Sequence, residues 1–276
     1  MPVVRSLLGM PRQLVLLATT VAVLVGFLYT LSPVGVWCGV GVVGLFMWAG
    51  TGLPDRERRW LLSLLAVALG LRLLVVIGLF LLTDPDQRPL VSFSFDGDGQ
   101  YLKQRSMWFR NWWLDVPIHQ DYLRQAFEAY GWSGYIYVLA YLQYLLGPAP
   151  FGIHLFNILL FLAASVALYR LVRTAYTPAA ALVGLTLLLF LPTLFAWSIS
   201  ALKESLHLFV GTAALIAAVG IVRGRGRLQL LAVVGLVAAM AVLATIRGGA
   251  FEIMAAGLAG GMLVRVLTLK KWVVVA

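Results

Sequence analysis

Four groups of polar residues in this 276-residue chain have types and spacings that could do chemistry. The first is Phe95-Asp96-Gly97-Asp98-Gly99-Gln100-Tyr101, two carboxylates separated by one residue with a glycine after each. Glycine lets the backbone turn tightly, so both carboxylates can point to a common site. There they would hold a divalent cation through hard oxygen ligands, or one would act as a general base. The same residues also fit an Asp-Gly turn on a solvated loop. An EF-hand is excluded, because no acid follows at the spacing that loop requires.

The second group lies in Trp197-Ser198-Ile199-Ser200-Ala201-Leu202-Lys203-Glu204-Ser205-Leu206-His207. A helical period predicts Ser200, Lys203, Glu204 and His207 on one stripe at the outer mouth of a membrane span. Charges at that depth are costly unless paired or facing water. Lys203 and Glu204 therefore either line an aqueous cavity or satisfy each other and snorkel outward. Glu204-x-x-His207 matches half of a di-iron carboxylate motif, but that site needs two such pairs and only one is present. Third, Arg247 and Glu252 flank Gly248-Gly249; the guanidinium there would clamp a phosphate or pair with Glu252. Fourth, Arg72 stands near the middle of an apolar run, where an arginine marks either function or a structural pair with a buried acid. His119 and His154 have no partners in sequence.

The elements that must position these residues are membrane helices. With 62% apolar residues, 12% charged residues and a mean hydropathy of +0.94, the chain has no soluble surface to offer, so bilayer replaces water around most of it. The predicted fold is all-α, a polytopic transmembrane bundle. Runs near the roughly 20 residues that a span requires fall at about 14–31, 34–53, 60–82, 152–172, 179–195, 205–222, 228–246 and 250–269, about eight spans. The first reads as a retained anchor rather than a cleaved signal, since no small-x-small site precedes Ser32-Pro33. Residues 1–59 form a two-helix N-terminal anchor and 60–276 a core that includes a large outer loop. Cys38 is the single cysteine, so disulfide frameworks and cysteine metal sites are excluded. Gly35-x-x-x-Gly39 and Gly257-x-x-x-Gly261 are expected to let helices pack closely.

Charge sets the orientation. With the N-terminus cytoplasmic, thirteen of the 21 basic residues fall inside, among them Arg56, Arg58, Arg59, Arg170, Arg173, Arg223, Arg225 and Arg227, while nine of the 11 acids fall outside. This is the positive-inside pattern of a multi-pass protein of the cell's inner (plasma) membrane. The basic balance therefore reports topology and contact with anionic lipid, not nucleic acid. Residues 83–132 form the outer acidic, aromatic loop, where Trp108, Phe109, Trp112 and Trp113 point to an interfacial helix. Residues 133–147, too short to span and rich in tyrosine, read as a helix lying in the outer leaflet. Crossing there would invert every later arginine cluster.

The order of these features resembles the GT-C class of membrane glycosyltransferases, which includes relatives of bacterial protein O-mannosyltransferases and lipid A aminoarabinose transferases. The resemblance is carried by Leu71-Arg72-Leu73, Asp96-Gly-Asp98-Gly-Gln-Tyr101, Gly134-Tyr-Ile-Tyr with Leu145-Leu-Gly147, Leu155-Phe-Asn157 with Tyr169-Arg-Leu-Val-Arg173, and Pro192 through Trp197-Ser198 to Leu202-Lys-Glu204. It covers roughly residues 60–255. What it implies is transfer of a sugar from a polyprenyl-phosphate carrier to an acceptor on the outer face, with Asp98 as base and Asp96 as its neighbour or substitute. Lys203, Arg247 and Arg72 would face the departing phosphate, and Glu204, Tyr101 and His207 would join the substrate site. Members of the class usually carry more spans and often a soluble C-terminal domain, so a truncated chain or one dependent on a partner membrane subunit also fits. Two other readings come from different classes. A non-catalytic subunit of a larger complex would use the aromatic loop for docking. A lipid-linked saccharide transporter would need a polar pathway, and spans one, two and five contain no charged residue.

Overall fold

The computed structural model describes residues 12–31, 33–82 and 96–269. Twelve helices and no strand occur among them. In chain order they are α1 (Arg12–Leu31), α2 (Pro33–Ala49), α3 (Asp55–Leu82), α4 (Asp96–Trp113), α5 (Gln120–Ala126), α6 (Gly134–Leu146), α7 (Pro150–Ala175), α8 (Pro178–Phe190), α9 (Pro192–Ile199), α10 (Glu204–Arg223), α11 (Arg227–Ile246) and α12 (Ala250–Leu269). Residues 83–95 of the polar segment, and Arg5, Lys270, Lys271 and the segment from Trp272, lie outside the described residues.

Local rules account for the helix ends. Proline begins α7, α8 and α9, where its missing N–H costs nothing. Thr177 caps α8 by accepting from the Ala180 N–H at 3.2 Å. Asp55 and Glu57 open α3, while Arg173 and Arg223 close α7 and α10, each placed to complement the helix dipole. Among the described residues four helical stretches are long and apolar enough to cross a bilayer: Asp55–Leu81, Phe151–Ala175, Glu204–Arg223 and Arg227–Ile246. The α8–α9 pair makes a fifth if it is one crossing bent by 60°. Their outward faces are apolar and bare, as at Leu81, 76% exposed, and Leu228, 70% exposed. Such a coat is a liability in water and the expected surface in hydrocarbon.

Helix α7 is the central post. Ile158, Phe161, Leu162, Val166 and Tyr169 pack with Leu61 and Leu65 of α3 and with Ala181, Leu185 and Leu189 of α8. A second cluster joins Leu139 and Ala140 of α6, Ile153 of α7, Leu206 and Val210 of α10, and Leu243 and Ile246 of α11. At one end of the bundle Arg173 donates to Glu57 from Nε (2.5 Å) and from its terminal nitrogen (3.0 Å), and the Tyr169 hydroxyl donates to the same carboxylate. Arg170 donates to the Trp48 and Thr51 carbonyls at 2.6 and 2.8 Å and lies over the Trp48 ring. The ends of α2, α3 and α7 that carry the 55–59 and 170–173 arginines thus meet on one side.

The glycine expectation needs correction. Gly39, Gly257 and Gly261 have no atom within 4 Å of an added Cβ, so these three positions are not close approaches. Those occur at Gly41, Gly134 and Gly152, where a Cβ would lie 2.6 Å from Leu159 Cδ2, 2.3 Å from Thr245 Oγ1 and 2.7 Å from Val34 Cβ. The glycine spacing records a pattern along one helix, whereas close approach depends on which helix lies opposite.

Candidate functional site

The site is built on a broken helix. Pro192 lacks an N–H and disfavours helical angles in the residue before it, so Leu191 adopts φ −60°, ψ 123° and α8 ends at Phe190. The straight span expected over 179–195 is therefore two helices. A break between two apolar helices exposes backbone carbonyls that hydrocarbon cannot satisfy. Arg72, fully buried, answers it: its fork donates from Nε to Ser198 Oγ at 2.7 Å and to the carbonyls of Leu189 and Ala68 at 2.8 and 3.0 Å. The guanidinium lies 4.9 Å from the Phe161 ring centre and 4.8 Å from that of Phe195. Among the described residues Arg72 thus has no acid partner; hydroxyl, carbonyls and ring faces take its place.

A second interruption follows. Helix α9 stops at Ile199 and α10 starts at Glu204, so Ser200 does not share a helical stripe with Glu204 and His207 as the period alone predicts. Helix α7 holds the crossing segment. His154 Nδ1 lies 2.6 Å from the Ile199 carbonyl, and because a carbonyl only accepts, that nitrogen carries the proton. Asn157 Nδ2 donates to the carbonyls of Ser200 (2.6 Å) and Leu202 (3.0 Å), and its oxygen accepts from the Tyr135 hydroxyl at 3.0 Å. These bonds fix where α10 begins, and so where Lys203 and Glu204 stand.

Around that helix start lies a cavity of about 160 Å³. Phe161, Leu194, Trp197, Leu208 and Ile246 form its apolar walls, and Lys203, Glu204, Ser205, His207 and Arg247 its polar part. Three polar atoms there are buried without a partner: Glu204 Oε2, Ser205 Oγ and His207 Nδ1. Neither the Lys203–Glu204 pair nor the Arg247–Glu252 pair is formed, whereas Arg173–Glu57 and His119–Asp121 are. Buried polar groups are normally satisfied, so this cluster holds hydrogen-bonding capacity in reserve. Its cations and the N–H groups at the start of α10 suit an anion.

The acidic pair lies on α4, whose start packs on the segment that leads into α10. Asp96 and Asp98 lie in the first turn of α4, on a helix rather than in the expected loop turn. Asp98 is exposed, and Gly99 is buried, with an added Cβ 3.6 Å from that of Ala201. The start of α4 therefore packs on Ala201, and Asp98 is not one of the residues that line the cavity. Among the described residues no three His, Cys, Asp or Glu side chains converge as a metal site.

Tyr101 is occupied elsewhere. Its hydroxyl donates to Glu128 at 2.8 Å and its ring faces Arg105. Burial, reinforced by the bond to Glu128, pushes that hydroxyl above the usual tyrosine range. Arg105 is the residue that sequence reasoning missed. Fully buried, it donates to the carbonyls of Ala126, Glu128 and Tyr130 between the rings of Tyr101 and Trp132, and so shapes the turn between α5 and α6. Burial lowers its pKa, while the neighbouring Tyr101 and Glu128 act to raise it. No sequence signal distinguishes it from the loop's other basic residues. Asn157 and His154 also escaped assignment, because their partners are carbonyls 43 and 45 residues away.

No family model, no curated protein and no solved structure matches the chain.

Proposed function

We propose that the protein is a membrane glycosyltransferase of the GT-C type, moving a sugar from a polyprenyl-phosphate carrier to an acceptor hydroxyl on the outer face. In this reading α1, α2, α3, α7, the bent α8–α9 pair, α10, α11 and α12 make eight crossings, with the N-terminus inside. Helices α4 to α6 then lie at the outer leaflet. The observation that carries the reading is the cavity at the start of α10, where Lys203 and Arg247 stand with three unpartnered polar atoms beside the helix that presents Asp98.

The chemistry follows from those groups. The Asp98 carboxylate takes the proton of the acceptor hydroxyl as its oxygen attacks the anomeric carbon. The bond from that carbon to the phosphate oxygen breaks, and the electron pair leaves with the phosphate. Lys203 and Arg247 stabilise the charge that develops there. Apolar walls at Leu194 and Ile246 suit the lipid end of such a carrier.

The test is sugar transfer from a polyprenyl-phosphate donor in proteoliposomes. Asp98→Asn should lower turnover about 10²-fold or more, the usual worth of a general base. Lys203→Ala and Arg247→Ala should each cost about 2–4 kcal/mol in the barrier. Full turnover in both Asp98→Asn and Asp96→Asn would remove the loop aspartates from the chemistry. A wild type that transfers nothing and co-purifies with other membrane proteins would favour the subunit reading.

A further inference from the structure

We propose that Glu204 is the specificity-determining acceptor of this cavity, taking the hydrogen bond of a ligand hydroxyl that stands next to the anionic group held by Lys203 and Arg247. The inference rests on the proposed transferase reading and adds a role for a residue which that chemistry leaves unused.

Three observations converge. Glu204 occupies the first turn of α10 and keeps Oε2 buried without a partner. A carboxylate oxygen accepts hydrogen bonds, so this atom calls for a donor that phosphate oxygens do not supply. Second, Glu204 forms no ion pair within 4.0 Å among the described residues, so the two cations of the lining do not consume it. Third, Ser205, 1% exposed, brings an unpartnered hydroxyl to the same cavity, so the polar lining includes a neutral group as well as charges.

A bare phosphate would satisfy Lys203, Arg247 and the helix N–H groups, and would leave Glu204 facing like charge. A ligand with an anionic group and hydroxyls side by side satisfies both ends, and a sugar phosphate has that form. The Trp197 side chain in the wall suits the C–H face of a sugar ring.

The test is equilibrium binding to the full chain in nanodiscs, by calorimetry, with inorganic phosphate and with the 1-phosphates of glucose, galactose and mannose. The wild type should prefer at least one hexose 1-phosphate over inorganic phosphate by roughly tenfold or more, the worth of a hydrogen bond to a charged group. Glu204→Met, similar in length and without an acceptor, should abolish that preference and at the same time tighten inorganic phosphate. A structural role would weaken both ligands together. Glu204→Gln, which keeps an acceptor but loses the charge, should fall between, and both variants should remain monodisperse.

The proposal is overturned if the wild type shows no preference or no binding, if the preference survives in Glu204→Met, or if both ligands weaken in parallel. The transferase reading fails separately, if the Glu204-dependent preference holds while no polyprenyl-phosphate donor supports transfer.

Discussion

Replacing Arg72 with lysine keeps the buried charge and removes the fork. In the native structure Nε and one terminal nitrogen reach Ser198 Oγ and the Leu189 carbonyl, groups on the two sides of the Pro192 break. One ammonium on a shorter reach cannot hold both. Each buried polar group left without a partner costs about 1–3 kcal/mol, and the flat contact with two ring faces weakens as well. The net loss is about 2–4 kcal/mol, which for a chain of this size lowers the melting temperature by roughly 5–15 °C. Arg72→Gln retains donors and sheds the cost of burying a charge, so it should be the milder change despite being the less conservative one. Differential scanning fluorimetry of both variants in one detergent measures the order. If Arg72→Lys melts within 2 °C of wild type, or Arg72→Gln melts well below Arg72→Lys, then charge rather than fork geometry holds the broken helix together.

Three further outcomes are expected. Gly134→Ala should cost about 1–3 kcal/mol, because its Cβ would press into Thr245 and force α6 from α11; Thr245→Ala should restore part of the loss in a thermal melt. Arg105→Ala frees the carbonyls of Ala126, Glu128 and Tyr130, so amide hydrogen exchange across 127–133 should accelerate roughly tenfold while that of α7 stays unchanged. In the eight-crossing topology Arg225→Cys should be shielded from membrane-impermeant maleimide applied to intact cells and labelled after permeabilisation; labelling from outside would invert the α10–α11 hairpin.

Much of the helical layout is legible along the chain because it is local. Apolar runs, prolines at helix starts and the arginines near helix ends each act within a few residues, and the observed helices follow them. The Asp96–Asp98 turn was misjudged, since two acids and two glycines read as a loop although the same acids suit the first turn of a helix. The stripe of Ser200 with His207 failed for a different reason. Residues 200–203 leave the helix because His154 and Asn157, far away in sequence, satisfy the carbonyls of Ile199, Ser200 and Leu202.

By itself the sequence determined that the chain is helical and apolar, and that its charged residues fall in a few short segments, among them those of Asp98, Lys203 and Arg247. Hydropathy and charge belong to each segment alone, so they survive without knowledge of neighbours. Only the tertiary structure decided which of those residues are already occupied. Arg72 is committed to groups 117 and 126 residues away, and Tyr101 and Arg105 to the turn before α6. Glu204, Ser205 and His207 each keep an atom free in the cavity. A hydrogen bond needs a partner within about 3 Å, and which groups come that close is settled by how helices pack, a relation that no single stretch of the chain contains.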